Sequence, residues 1–314
     1  MRVLVLYGGE SPEREVSLAS GKAVVEAAKE TGFEVLDGHV RTMKDVIKCV
    51  SDQKFDVVFI ALHGGWGEDG RLQALLEFYE VPYTGSGPEA CMLAMNKALS
   101  KYRFRRDDIS VPEGIEIDTS RQGIEMTYQK IICFYNKLSG EKMVIKPSRC
   151  GSTIGISIVA QEGDILSSLR LASEYDNLIL AERYIPGKEV TVTVWDDGSN
   201  IRAFPVIEIV PKNSLYSYRA KYTPGNSEYL VPAPLQESVA SEAKKAAIKA
   251  HLSLDCKQYS RADMRLDLNG KPYVLEVNTA PGLTATSLVP KAAKAIGWSF
   301  EELVRRLITN ALER

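Results

Sequence analysis

Two acidic residues, Asp263 and Glu276, flank an Asn269-Gly270 dipeptide, each inside a run that alternates polar and apolar side chains. Asn-Gly between such runs is the strongest short-range signal for a two-residue β-hairpin. The spacing predicts strands at 261–268 and 271–277, with Leu268 facing Lys271. Counting outward sets Asp263 opposite Glu276 and Arg261 opposite Asn278. Side chains alternate with period two, so these four share one face. Met264, Leu266, Leu275 and Val277 then fill the other. Like charges directly opposite one another destabilise a sheet, so this face is either solvated or occupied by a cation. The tight turn Thr279-Ala280-Pro281-Gly282 that follows favours the second reading. Two carboxylates and an amide oxygen make a hard-oxygen cluster. Mg²⁺ suits it, with water and phosphate oxygens completing the shell.

A phosphate needs its own partners. Lys97 and Lys146 lie in separate segments, Lys146 at the end of a predicted strand. Behind it comes the small-residue loop Gly151-Ser152-Thr153-Ile154-Gly155. Backbone N–H groups in such a loop can cradle phosphate oxygens. The loop lacks the G-x-x-x-x-G-K-[ST] pattern, and Gly8-Gly9-Glu10 lacks G-x-G-x-x-G, so neither a Walker site nor a dinucleotide fingerprint is expected.

These residues need elements to hold them. Strands are expected at 2–7, 33–40 and 55–62, with helices between, the first starting near Pro12 and ending before Gly32. This β-α-β-α-β order implies a parallel sheet with right-handed crossovers. Its loops, Gly8-Gly9 and His63-Gly64-Gly65-Trp66-Gly67, fall at the carboxyl ends of strands, where α/β sheets bind ligands. A helix is expected near Pro88, with strands at 143–146, 178–181, 190–195 and 201–209 and a long helix near 237–252. Little can be placed between 105 and 142. The polar, tyrosine-rich stretch 213–230 has no periodicity and suits a lid loop.

The 314 residues exceed a single core, so two or three packed units are expected. With 39 basic and 41 acidic residues the net charge is −2, which gives no electrostatic footprint for nucleic acid. The apolar runs are strand-sized and too short to span a bilayer, and the start of the chain carries no useful signal-peptide core. A cytoplasmic enzyme is expected. Cys49, Cys91, Cys133, Cys150 and Cys256 show no C-x-x-C spacing, which points to small buried hydrophobes rather than a disulfide framework or zinc site.

Several motifs together resemble the D-alanine–D-alanine ligase family. They are Gly8-Gly9-x-Ser11-x-Glu13-Arg14-Glu15-Val16-Ser17, Ala61-Leu62-His63-Gly64, Gly67-Glu68-Asp69-Gly70 and Pro82-Tyr83-Thr84-Gly85-Ser86-Gly87. Lys146-Pro147-Ser148, Tyr218-x-x-Lys221-Tyr222, Arg261-x-Asp263, Glu276-Val277-Asn278-Thr279-x-Pro281-Gly282-x-Thr284 and Ser287-Leu288-Val289-Pro290 complete the set. The resemblance implies an α/β (α+β) chain of ATP-grasp fold with an N-terminal parallel-sheet domain at 1–95, a central subdomain at 96–185 and a C-terminal subdomain at 186–314. It implies ligation of two D-alanine molecules through a D-alanyl phosphate for peptidoglycan precursor synthesis, by a cytoplasmic homodimer. ATP is then a substrate, and two Mg²⁺ ions (or Mn²⁺ in their place) the cofactors.

The resemblance also implies roles. Asp263, Glu276 and Asn278 hold the metal ions. Lys97, Lys146, Gly151, Ser152, Thr153 and Lys221 attend the phosphates. Glu182 faces the adenine amino group, the Arg183–Ile185 backbone its ring edge, and Glu189 the ribose. Glu15 takes the first substrate's ammonium, with His63 nearby. Arg261 and the Gly282 N–H stabilise the oxyanion, while Ser287 and the Leu288 N–H receive the second carboxylate. Ser152 and Tyr222 link with Glu15 to close the lid. Asn96, Cys150 and Ala280 depart from the residues frequent in the family. Three other readings compete: a D-alanine–D-lactate ligase, disfavoured by Tyr222 where that type usually has Phe; a nucleotide-dependent oxidoreductase; and a non-catalytic ATP-binding module.

Overall fold

A computed structural model describes residues 1–52, 54–151, 153–211, 227–284 and 286–313. Ser152, Lys221 and Tyr222, and all of the expected lid before Ser227, lie outside the described residues.

The amino-terminal unit is a parallel sheet in the order β2-β1-β3, built from β1 (Arg2–Gly8), β2 (Glu34–Val40) and β3 (Val57–Ile60). Crossover helices α1 (Arg14–Glu30) and α2 (Met43–Asp52) join the strands, and α3 (Arg71–Phe78) follows. Both faces are covered, as a parallel sheet requires. Leu4, Leu6, Val58 and Ile60 pack towards α2 and α3 with Val46, Val50, Leu72 and Leu76. On the other face Val3, Val5, Val57 and Phe59 meet α1. They also meet Leu303, Val304, Leu307 and Ile308 of the last helix, Phe300–Leu312, so the end of the chain closes the first sheet's core.

Next come α4 (Pro88–Met95) and α5 (Lys97–Arg106). Leu93, Phe104 and Ile109 bury in the core of the carboxyl-terminal sheet, not in the sheet that follows them in sequence. The stretch 105–142, where little could be placed, contains β4 (Gly114–Asp118) and α6 (Thr119–Lys137). The helix is interrupted at Gly123, whose φ of +76° breaks the apolar period. β4 joins β5 (Met143–Pro147), β6 (Ser157–Val159) and β7 (Leu178–Arg183) in an antiparallel sheet, order β4-β7-β5-β6, backed by α6 and α7 (Ile165–Ser173).

The third sheet runs β11-β10-β8-β12-β13, with β9 also on β8. Its strands are β8 (Lys188–Asp196), β9 (Ile201–Ala203), β10 (Ile207–Pro211), β11 (Ser227–Leu230), β12 (Tyr259–Leu266) and β13 (Pro272–Asn278). The single strand expected at 201–209 is therefore two. Pro205 sits in the break, where it cannot donate to a ladder. The helix Glu237–Ser253 covers this sheet through Ala243, Ala247 and Ala250. Among the described residues no helix is long and apolar enough to cross a membrane. All five cysteines are free; only Cys91 and Cys256 are buried, and Cys133 is exposed, which corrects the expectation that most are core residues.

Candidate active site

The hairpin reaches its expected register by a different route. Arg261 pairs with Asn278, and Asp263 with Glu276. The loop, however, is Leu268-Asn269-Gly270: Asp267 N donates to Lys271 O at 3.0 Å and Gly270 N to Asp267 O at 3.0 Å. This is a turn closed by a left-handed glycine, Gly270 at φ +82°. It moves the ladder by one residue, so Met264 faces Val274 and Leu266 faces Pro272. A bulge between Asp263 and Met264 moves it back. Val274, not Leu275, therefore joins Met264, Leu266 and Val277 in the buried layer. Bulges re-aim side chains next to sites in this way.

The two carboxylates do not face each other uncompensated. Arg261 grips Asp263 in two places, Nε to Oδ1 at 2.9 Å and Nη2 to Oδ2 at 2.8 Å. Thr191 Oγ1 donates to Asp263 Oδ1 at 2.6 Å, and Asn278 Nδ2 to Oδ2 at 3.0 Å. Glu276 Oε2 lies 3.1 Å from Lys97 Nζ, which also donates to the Cys150 carbonyl at 2.8 Å. Among the described residues no three His, Cys, Asp or Glu side chains gather into a metal cage. Asp263, Glu276 and Asn278 nevertheless share one face of the hairpin, a hard-oxygen set of the kind Mg²⁺ takes with water and phosphate completing the shell.

Lys97 is held by the turn before it. Asn96 Oδ1 accepts from Leu99 N at 3.2 Å and caps α5. The same oxygen accepts from Ser148 Oγ at 3.0 Å, while Ser148 O accepts from Lys97 N at 3.2 Å. The Lys146-Pro147-Ser148 strand end and the start of α5 are thus stitched together, and Asn96 performs the capping role open to Asp. Glu182, on β7, is buried between two lysines: Oε2 lies 2.7 Å from Lys146 Nζ and Oε1 2.6 Å from Lys101 Nζ. Burial alone would raise its pKa, but the two ammonium groups outweigh this and bring it down to about 2. Lys101 was missed by sequence reasoning. Its signal was the i, i+4 spacing from Lys97, which puts both on one face of α5.

On the amino-terminal side, His63 is buried and both ring nitrogens are engaged. The Ala280 carbonyl, 3.1 Å from Nδ1, can only accept, so Nδ1 carries a proton, and Nε2 lies 2.9 Å from Ser20 Oγ. His63 therefore ties α1 to the Ala280 turn. Glu15 is 85% exposed and pairs with Arg14 at 3.2 Å. Glu13 is the acid that reaches inward: its Oε2 is 3.2 Å from where a Cβ on Gly151 would stand and 2.8 Å from one on Gly64. The motif places two glutamates near the helix start, and the inward one is Glu13, which sequence reasoning passed over.

A cavity of about 560 Å³ brings together Glu13, Glu15, His63, Gly151, Arg261, Asp263, Glu276, Asn278, Gly282, Ser287 and Leu288. Ser287 Oγ accepts from Thr284 N at 3.1 Å and does not cap the helix Leu288–Ala295, so that helix start has no side-chain cap. In the small-residue loop after β5, Thr153 holds a left-handed φ of +63°. The nucleotide candidates lie elsewhere in part. Arg183 and Ile185 line a separate cavity of about 550 Å³. Glu189 lies 3.6 Å from Arg265, which donates to the Ile185 carbonyl at 3.0 Å.

Known proteins agree with this architecture. Residues 37–86 match the sequence profile described as D-ala D-ala ligase N-terminus, and residues 109–309 that of D-ala D-ala ligase C-terminus. A D-alanine–D-alanine ligase of Halalkalibacterium halodurans is 42% identical, covering 100% of both chains. One from Syntrophotalea carbinolica is 43% identical over 99% of this chain and 96% of its own. The crystal structure of D-alanine–D-alanine ligase from Bacillus anthracis complexed with ATP superposes with a TM-score of 0.83 at 29% identity, covering 100% of this chain and 98% of that one. The VanG D-Ala:D-Ser ligase from Enterococcus faecalis superposes at 0.84 with 27% identity, covering 99% of each. With relatives above 40% identity along its whole length, this chain belongs to the D-alanine–D-alanine ligase family and is a ligase of ATP-grasp fold.

Proposed function

We propose that the chain joins two D-alanine molecules into D-alanyl-D-alanine at the expense of ATP, through a D-alanyl phosphate, for peptidoglycan precursors. The observation that carries this reading is the shared cavity. It gathers Asp263, Glu276, Arg261, Gly282, Ser287 and Leu288 around one space. In this reading the carboxylate of the first D-alanine attacks the γ-phosphorus, an O–P bond forms and ADP leaves. The free amine of the second attacks the acyl carbon, a C–N bond forms and phosphate leaves with the carboxyl oxygen. In this reading Arg261 and the Gly282 N–H are the donors that stabilise the developing oxyanion. Ser287 and the Leu288 N–H receive the second carboxylate. Glu13, rather than Glu15, takes the first ammonium.

Asp263, Glu276 and Asn278 would hold Mg²⁺, which supplies charge neutralisation at the transferring phosphoryl group. Lys97 and Lys146 orient phosphate oxygens. Positioning and neutralisation then supply most of the catalysis. The same reading makes the enzyme a cytoplasmic homodimer, an expectation that family membership supports and analytical ultracentrifugation checks.

The test is phosphate release with ATP, Mg²⁺ and a panel of D- and L-amino acids, D-serine and D-lactate, with products identified by mass spectrometry. D-alanyl-D-alanine as the main product is expected. A main product carrying D-serine or D-lactate at equal concentrations would replace the acceptor, and ATP turnover without any coupled product would defeat the reading.

A further inference from the structure

Helix α5 carries two buried lysines one turn apart, and they point to different sheets. Lys97 reaches Glu276 of β13, whereas Lys101 reaches Glu182 of β7. Like charges at i, i+4 near a helix start are unfavourable in themselves. Each therefore needs its own anion. Lys101 is 1% exposed, so it has no solvent to fall back on. Its Nζ lies 2.6 Å from Glu182 Oε1.

Lys101, Lys146 and Glu182 form a buried group of two ammoniums and one carboxylate, with a net charge of +1. A buried excess charge is costly until an anion meets it. The two lysines are not equivalent. Lys146 lies one residue before the end of β5, near the small-residue loop, and holds Oε2. Lys101 lies inside, on α5, and holds Oε1. If Lys146 turned to a phosphate with no second cation present, Glu182 would be left buried, charged and unpaired.

We propose that Lys101 is a positioning residue for the nucleotide: a resident counter-ion that keeps Glu182 an ionised acceptor for the exocyclic amine of the base while releasing Lys146 to the phosphates. This rests on the ligase reading, and specifically on ATP entering between β5–β7 and the hairpin. Its consequence is base selectivity. A carboxylate without a proton accepts from a 6-amino group and offers nothing to a purine that lacks one. A Glu182 that has lost Lys101 must keep Lys146 or take up a proton, and either change weakens that discrimination.

The experiment compares the full-length wild type, Lys101→Met and Lys101→Arg in ligation and in equilibrium nucleotide binding. The probes are ATP and purine riboside triphosphate, which lacks the 6-amino group. Circular dichroism checks that each variant is folded. The wild type should prefer ATP by about tenfold or more, the scale of one hydrogen bond to a charged group. In Lys101→Met the preference should fall towards unity and KM for ATP should rise about tenfold, with KM for D-alanine unchanged. Lys101→Arg keeps the charge and should stay within about threefold of the wild type. A folded Lys101→Met with wild-type preference would overturn the proposal. So would a folded Lys101→Arg that loses the preference, which decides the matter if the Met variant does not fold. A wild type that binds ATP without preferring it would also overturn the proposal and leave the ligase reading intact, whereas failure to bind ATP at all would defeat both.

Discussion

Lys97 Nζ lies 3.1 Å from Glu276 Oε2, so the first residue of α5 and a carboxylate of the hairpin are each other's counter-ions. The spacing alone predicts repulsion between Asp263 and Glu276, and with it an unchanged or raised stability when Glu276 is removed. The ion pair reverses that sign. Lys97 is 5% exposed, and taking away one partner of a buried pair strands the other. Glu276→Ala should abolish turnover and lower metal-free stability by roughly 1–3 kcal/mol, the Cys150 carbonyl retaining part of the interaction. Chemical denaturation with EDTA present measures it, and a variant as stable as the wild type would show that the pair is idle.

Glu13 and Glu15 separate the two ways of reading one motif. The Glu13 carboxylate sits against the backbones of Gly64 and Gly151, while Glu15 extends into solvent beside Arg14. Glu13→Ala should cut kcat/KM for D-alanine by about tenfold to a hundredfold, the scale of a lost charge-assisted contact. Glu15→Ala should change it by less than about threefold, since exposed ion pairs contribute little. The reverse ranking would restore the outer glutamate to the site.

Cys150 precedes the small-residue loop after β5, and its carbonyl rather than its sulfur meets Lys97. The carbonyl accepts from Lys97, while Sγ faces the Tyr175 carbonyl at 3.5 Å. Burial pushes the thiol pKa up, the opposite of an activated nucleophile. Cys150→Ser should keep most of kcat. Loss of several orders of magnitude with ATP binding intact would expose a role for the sulfur.

Glu182 gives the acid limb of the stability profile. Although burial opposes ionisation, Lys101 and Lys146 bring its pKa from the ordinary 4.5 to about 2. Between those values the unfolded chain binds a proton that the folded chain refuses, so this contribution is complete above about pH 4.5 and lost as pH falls towards 2. The stability difference between the wild type and Glu182→Gln should therefore shrink from pH 5 to pH 3. A difference that stays constant across that range would mean that Glu182 is not held ionised by the two lysines.

Local chemistry made much of this protein legible. Alternation, helix caps and glycine turns are short-range signals, so β1, β2, α1 and the two arms of the hairpin were placed to within a residue or two. The opposition of Asp263 and Glu276 was also legible, although a three-residue loop and a bulge had to cancel for it to hold. The stretch 105–142 was not, because a left-handed glycine interrupts the helical period there. Electrostatic partnership was beyond reach for a different reason. Whether two carboxylates repel or bind, and which of two glutamates turns inward, depends on cations and backbones far along the chain: Lys97 against Glu276, Lys101 against Glu182, Gly151 against Glu13. Burial strengthens charge interactions several-fold and makes an unpaired charge costly, and which residues end up buried together is settled by the packing of three sheets around α5 and the cavity.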